Sequence, residues 1–170
     1  MYGKNKEEVY DIAALCEIIH NGTLIVDDIE DNSSVRRDKE CVHLIYGVDI
    51  SVNAGNFMYF APLLYLLKSG KFNNSQLVQI GQIYAEEMTN LHIGQGWDIL
   101  WHNIEKLNGK YPTENDYLQM TAHKTGVLAR LSARLVCVYL GLSEKEANTL
   151  AKFAETMGVA FQIQDDLLNL

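Results

Sequence analysis

The stretch 25-IVDDIEDNSSVRR-37 sets four carboxylates, Asp27, Asp28, Glu30 and Asp31, directly behind the apolar run Leu24-Ile25-Val26 and just ahead of two arginines. In an α-helix, residues four apart are offset by only about 40° and lie one above the other, so Asp27 and Asp31 share a face and Asp28 flanks it. The stretch 161-FQIQDDLLNL-170 echoes the pattern, with Asp165 and Asn169 on one face and Asp166 beside them. Both clusters follow apolar segments, HNGTLIV and MGVAFQIQ, so each sits where a helix face meets a core. Taken alone, DDIED reads first as a solvated helix end, because acidic runs on exposed helices are common. Two such oxygen-rich patches, brought opposite each other across a bundle, would make a site for a hard divalent cation such as Mg²⁺, which takes oxygen ligands and keeps waters for a bridging phosphate. Arg36 and Arg37 then read either as surface charge or as bidentate clamps on a diphosphate.

Outward from these clusters the chain reads as nearly all α-helix. Only Pro62 and Pro112 interrupt it, and apolar positions recur at threes and fours. The pattern predicts helices over about 6–33, 49–68, 74–105, 114–140 and 144–170, with a kink at Pro62 and little support for strands. Turn residues separate them, and 113-TEND-116 and 143-SEKE-146 resemble helix N-caps. At 170 residues, 48% hydrophobic and 21% charged, the composition is that of one globular helical domain spanning 1–170. A net charge of −8 argues against a nucleic-acid or anionic-membrane surface, since both require a basic face. An anionic substrate would have to be held through cations. Three cysteines (Cys16, Cys41, Cys137), with no CxxC pair, point to packing roles in a reducing, intracellular setting. No uninterrupted apolar run reaches the roughly 18 residues of a membrane span.

With these motifs in order, the chain resembles the trans-isoprenyl (polyprenyl) diphosphate synthases, most of all their eukaryotic geranylgeranyl-type members. The likeness runs over nearly the whole chain: HNGTLIVDDIEDNSSVRR, HLIYG (43–47), GQGWD (94–98), KTG (124–126) and FQIQDDLLNL. It implies an all-α, isoprenoid synthase-type helical bundle with a central cavity and the two acidic motifs facing each other at its mouth. It further implies Mg²⁺, several ions per active site, bound by Asp27, Asp28, Asp31, Asp165 and Asp166. Arg36 and Lys124 match residues that hold the allylic diphosphate, and His20 and Arg37 residues around isopentenyl diphosphate. Thr125 and Gln162 match oxygens near the developing carbocation, and Gln95 and Asp98 a polar pair lining the site. Without the likeness His20, Gln95 and Gln162 would read as structural. Trp97 and Trp101, one turn apart, read as core or interface.

The implied activity is condensation of isopentenyl diphosphate with an allylic diphosphate by ionisation, condensation and elimination. Small residues at Gly22 and Thr23, where farnesyl-length relatives carry aromatics, predict a geranylgeranyl or longer product. Asp38 departs from the family's usual glycine after Arg37. The family's upstream Gly-Lys-x-x-Arg element and its lysines after the second motif lie outside these 170 residues, so the expectation is a fragment or a shortened homologue. A second class of reading is therefore a non-catalytic subunit of a heteromeric synthase. A terpene cyclase lacks its second metal motif here, and a carboxylate di-iron bundle has only Glu17-x-x-His20 and Glu40-x-x-His43 in its favour. Expected partners are the two diphosphates and a second copy in a homodimer or larger oligomer. The expected place is the cytoplasm, or an organelle where a targeting segment precedes the chain.

Overall fold

The computed structural model describes residues 9–103 and 111–168. They form seven α-helices and one short hairpin: α1 Tyr10–Glu30, β1 Val35–Arg36, β2 Lys39–Glu40, α2 Val42–Tyr46, α3 Val48–Lys68, α4 Asn74–His102, α5 Glu114–Lys124, α6 Gly126–Leu140 and α7 Glu144–Leu168. The start of the first expected helix (6–8), the end of the third (104–105) and Asn169 lie outside the described residues. The chain divides into two compact units, one on either side of residue 72.

In the first unit α1 lies along α3. Ile12, Leu15, Ile19 and Gly22 supply the buried face of α1. Ser51, Gly55, Tyr59, Pro62 and Leu66 supply that of α3. Each buried Ile or Leu contributes about 1.5–3 kcal/mol. The helices come close because both present glycine: a Cβ on Gly22 would stand 2.9 Å from Met58 Cβ, and one on Gly55 2.7 Å from Val26 Cγ2. α3 is continuous through the buried Pro62. Among the described residues α3 is the one helix long and apolar enough to cross a membrane, at mean hydropathy 1.3, and a single helix of this kind is equally at home in a globular domain.

The hairpin is a short stretch of strand where the sequence pattern lends strands little support. Val35 pairs with Glu40 and Arg36 with Lys39. Arg37 (φ 52°) and Asp38 (φ 61°) form the two-residue loop, both left-handed, as a type I′ turn requires.

In the second unit α4 packs on α5 and α6, and α6 on α7. The cap motifs at Thr113 and Ser143 form as expected. Thr113 Oγ1 accepts from Asp116 N–H at 3.2 Å while Asp116 accepts from Thr113 N–H at 2.8 Å, and Ser143 and Glu146 exchange the same pair of bonds. Asn73 and Gln76 make a third such box at the start of α4.

The expected single helix over 114–140 is two, broken at Thr125. The cause is tertiary. A Cβ on Gly94 would stand 2.4 Å from Lys124 N and 2.6 Å from His123 C, and one on Gly158 2.8 Å from Gly126 Cα. Backbone therefore meets backbone on both sides of the break. Beneath it Glu87, fully buried, accepts from Arg130 Nε on both oxygens at 2.9 Å and from Arg134 Nη1 at 2.6 Å. Glu155 accepts from Arg130 as well.

Candidate functional site

In the first unit the acidic motif is the last turn of α1. The helix stops through a Schellman arrangement, with Asn32 left-handed at φ 52°, Asn32 N–H donating to Ile29 O at 3.3 Å and Ser33 N–H to Asp28 O at 2.9 Å. Asp27, Asp28 and Asp31 thus stand at the negative end of the helix dipole, with no basic residue in that turn. Carboxylates there are disfavoured unless a cation meets them. One cation comes from the hairpin: Arg36 donates from Nε at 2.9 Å and from Nη2 at 2.6 Å to Asp28 Oδ1, and its Nη2 lies 3.6 Å from Asp27 Oδ2. The hydrogen bond to Asp28 holds the Arg36 guanidinium even more firmly protonated than usual, against the opposing effect of burial. Cys41 is buried next to them, and burial, then its hydrogen bond to Asp28, push its thiol up.

Asp28 is buried, Asp27 half-buried and Asp31 exposed. Arg37 is exposed at the hairpin turn. His20 is half-buried two turns before Asp27, and its carbonyl accepts from Thr23 Oγ1 at 2.7 Å. Gly22 faces Met58 and Tyr59 of α3, so helix packing alone accounts for its size. Burial pushes the Tyr59 hydroxyl up to about 12, aided by the charges of Glu30 and Asp27.

In the second unit the sequence-predicted residues form two hydrogen-bonded sets that start from the adjacent residues Lys124 and Thr125 and together make a row. Lys124 Nζ donates to Asp98 Oδ2 at 2.5 Å. Thr125 Oγ1 donates to Gln162 Oε1 at 2.7 Å, and Gln162 Nε2 donates to Asp166 Oδ1 at 2.8 Å. The close seating of Gly94 under the Lys124 amide brings Asp98, one turn along α4, beside the lysine. Gly158 against Gly126 brings Gln162, one turn along α7, beside Thr125. Gln95 is half-buried on α4, and Asp165 is exposed on α7. Trp97 meets His123 edge to face, with ring centroids 5.4 Å apart. One member of the row escaped the sequence reading: Tyr117 of α5 donates from Oη to Asp166 Oδ2 at 2.5 Å. Its only local signal is the seven-residue spacing to Lys124, which puts the two on one face of α5.

Among the described residues no three His, Cys, Asp or Glu side chains are arranged to hold a metal by themselves. The donors present are nonetheless of one chemical kind, carboxylate oxygen. Such a set fits Mg²⁺, which commonly takes one or two carboxylates and completes its shell with phosphate oxygens and water. It does not fit a closed cage of soft ligands, because all three cysteines are free and Cys41 and Cys137 are buried.

Comparison with known proteins gives these residues a context. The chain is 36% identical over 170 residues to the geranylgeranyl pyrophosphate synthase of Eremothecium gossypii, covering 99% of this chain and 52% of that protein. It is 37% identical over 164 residues to the geranylgeranyl pyrophosphate synthase of Dictyostelium discoideum, covering 96% and 50%. It therefore spans about half the length of the curated relatives it matches. Among solved structures, the geranylgeranyl pyrophosphate synthetase from the archaeon Geoglobus acetivorans superposes with a TM-score of 0.88 at 28% identity, over 99% of this chain and 53% of that one. The fold is the all-helical isoprenoid synthase fold of these neighbours. The polyprenyl synthetase family pattern matches from residue 1 to residue 170, with the two aspartate motifs and the Lys124-Thr125 break inside the match, and on that evidence the chain belongs to the polyprenyl synthetase family.

Proposed function

We propose that this chain carries out prenyl transfer, joining isopentenyl diphosphate to an allylic diphosphate, with geranylgeranyl diphosphate as product. The observation that carries the reading is the arrangement around the Lys124-Thr125 peptide in the second unit, where Lys124 donates to Asp98 at 2.5 Å and, from the next residue, a hydroxyl, an amide and a carboxylate (Thr125, Gln162, Asp166) follow one another through hydrogen bonds of 2.7 and 2.8 Å. Polyprenyl synthetases typically use Mg²⁺, and in this reading Asp27, Asp28, Asp31, Asp165 and Asp166 are its ligands. When bound, Mg²⁺ supplies Lewis-acid stabilisation of a departing diphosphate.

The protein's own residues do the rest. Lys124 and Arg36, each now paired with a carboxylate, are cations that a diphosphate can recruit by competing with Asp98 and Asp28. Arg37 and His20 bind the second diphosphate. Thr125 and Gln162 present oxygen lone pairs to a carbocation, and their mutual hydrogen bond fixes those oxygens before any charge develops. Gln95 and Asp98 line the same wall of α4. Thr23, small and four residues before Asp27, leaves room for the growing tail. The free, buried thiols suit a reducing compartment such as the cytoplasm or an organelle interior.

Incubating the chain with labelled isopentenyl diphosphate, Mg²⁺ and allylic diphosphates of several lengths, then sizing the products, tests the reading. A Mg²⁺-dependent twenty-carbon product is expected. A second reading, a non-catalytic subunit of a heteromeric synthase, is favoured by apolar stripes at helical spacing: Phe57, Phe60 and Leu64 on α3, and Phe153, Met157 and Phe161 on α7, all more than half exposed. Turnover only when a full-length relative is added, at a rate above that of the relative alone, would favour this reading over the first.

A further inference from the structure

In the second acidic motif both side-chain oxygens of Asp166 accept hydrogen bonds. Gln162, one turn before it on α7, donates to Oδ1 at 2.8 Å, and Tyr117 reaches across from α5 to donate to Oδ2 at 2.5 Å. A bond from the same helix and a bond from a neighbouring helix together fix both side-chain torsions of an aspartate. Tyr117 can serve this purpose because α5 is held at both ends. Its first turn is closed by the Thr113–Asp116 box, and its last residues rest on Gly94. The tyrosine is half-buried, and its hydroxyl is the donor in the bond to Asp166.

Each oxygen of a carboxylate has two lone-pair directions, so one bond per oxygen leaves one direction on each for a further ligand. Partners that orient a ligating group from behind commonly govern affinity at the metal by 10- to 100-fold. We propose that Tyr117 is a positioning residue for Asp166: its hydroxyl sets the carboxylate in the orientation that receives a divalent cation carrying a diphosphate. The inference rests on the prenyl-transfer reading of this site. It assigns a role to a residue outside the aspartate motifs, and it separates Tyr117 from Thr125 and Gln162, which face the reacting carbons in that reading.

The test is Mn²⁺ binding in the presence of inorganic pyrophosphate, followed by electron paramagnetic resonance, on the full chain and on Tyr117→Phe, Asp166→Asn and the double variant, each checked for helix content by circular dichroism. Tyr117→Phe is expected to weaken Mn²⁺ binding about tenfold, and to have no further effect once Asp166 is asparagine. Para-aminophenylalanine at position 117, which keeps a donor at the end of the ring, is expected to restore binding. It also keeps the test open should Tyr117→Phe fail to fold. Unchanged or tighter binding by Tyr117→Phe, with binding lost in Asp166→Asn, overturns the positioning role and leaves the metal reading intact. So does an effect of Tyr117→Phe that persists in the double variant. No Mn²⁺ binding by the unaltered chain, or none lost in Asp166→Asn, overturns the metal reading of Asp166 and this inference with it.

Discussion

Gly94 and Lys124 meet backbone to backbone: a Cβ on Gly94 would lie 2.4 Å from the Lys124 nitrogen. No rotamer change relieves such an approach, because the obstructing atoms are main chain. Gly94→Ala is therefore expected to lower stability by about 1–3 kcal/mol, despite the gain in helix propensity, and to pull Lys124 away from Asp98. Gly96, two residues on in the same helix, has nothing within 4 Å of its Cβ position, and Gly96→Ala should be neutral or stabilising by up to about 1 kcal/mol. Urea midpoints of the two variants give the comparison, and equal midpoints would remove the steric argument.

Glu87 offers a second prediction. Burial pushes its pKa up, but the hydrogen bonds and charges of Arg130 and Arg134 outweigh that and hold the carboxyl below its ordinary 4.5. Glu155 behaves alike beside Lys152 and Arg130. Because both folded values are depressed, the stabilisation is complete above the unfolded value and is lost as pH falls below about 4.5 and through the folded values. Glu87→Ala leaves two arginines without their buried partner and should cost about 3–5 kcal/mol at neutral pH. Its urea midpoint should also change less between pH 5 and pH 3 than that of the unaltered chain. A parallel acid dependence in the two proteins would mean that other carboxylates govern it.

What the sequence discloses here and what it hides divide along a physical line. Interactions that run three or four residues along a helix were readable: the shared face of Asp27 with Asp31 and the caps at Thr113 and Ser143. Interactions between distant segments were not. The break at Thr125 has no proline to announce it and depends on Gly94 and Gly158, and Glu87 meets its arginines 43 and 47 residues away. The hairpin was missed because its strands are two residues long, too short for any alternation to register. Family likeness pointed to Lys124, Thr125 and Gln162, whose hydrogen bonds periodicity alone could not foresee. Neither route pointed to Tyr117.

Asp38 stands where the resemblance leads one to expect glycine, and the backbone shows why glycine would suit the position. Both loop residues of the hairpin have positive φ, 52° at Arg37 and 61° at Asp38, a conformation glycine adopts freely and aspartate only tolerates. Asp38→Gly should stabilise the chain by about 0.5–1 kcal/mol and keep Arg36 on Asp28, whereas Asp38→Val should destabilise it. Thermal melts of the pair decide the matter. A lower midpoint for the glycine variant would show that the Asp38 carboxylate, and not the backbone, is what the turn depends on.

Product length can be probed at adjacent positions that behave oppositely. Gly22 is buried against α3, its Cβ position 2.9 Å from Met58 Cβ, 3.1 Å from Gly55 O and 3.3 Å from Tyr59 Cε1. Gly22→Phe should therefore force α1 off α3, with a loss of about 3 kcal/mol or more, and report on packing alone. Thr23 is half-buried, and its hydroxyl is tied to the His20 carbonyl, so the position admits a larger side chain without a clash of main chains. Thr23→Phe should remain folded and shift the product toward fifteen carbons, measured by sizing the labelled product in an assay where the unaltered chain turns over. Full stability in Gly22→Phe would contradict the close approach of α1 and α3. An unchanged product distribution in a folded Thr23→Phe would move the end of the tail pocket away from α1 altogether.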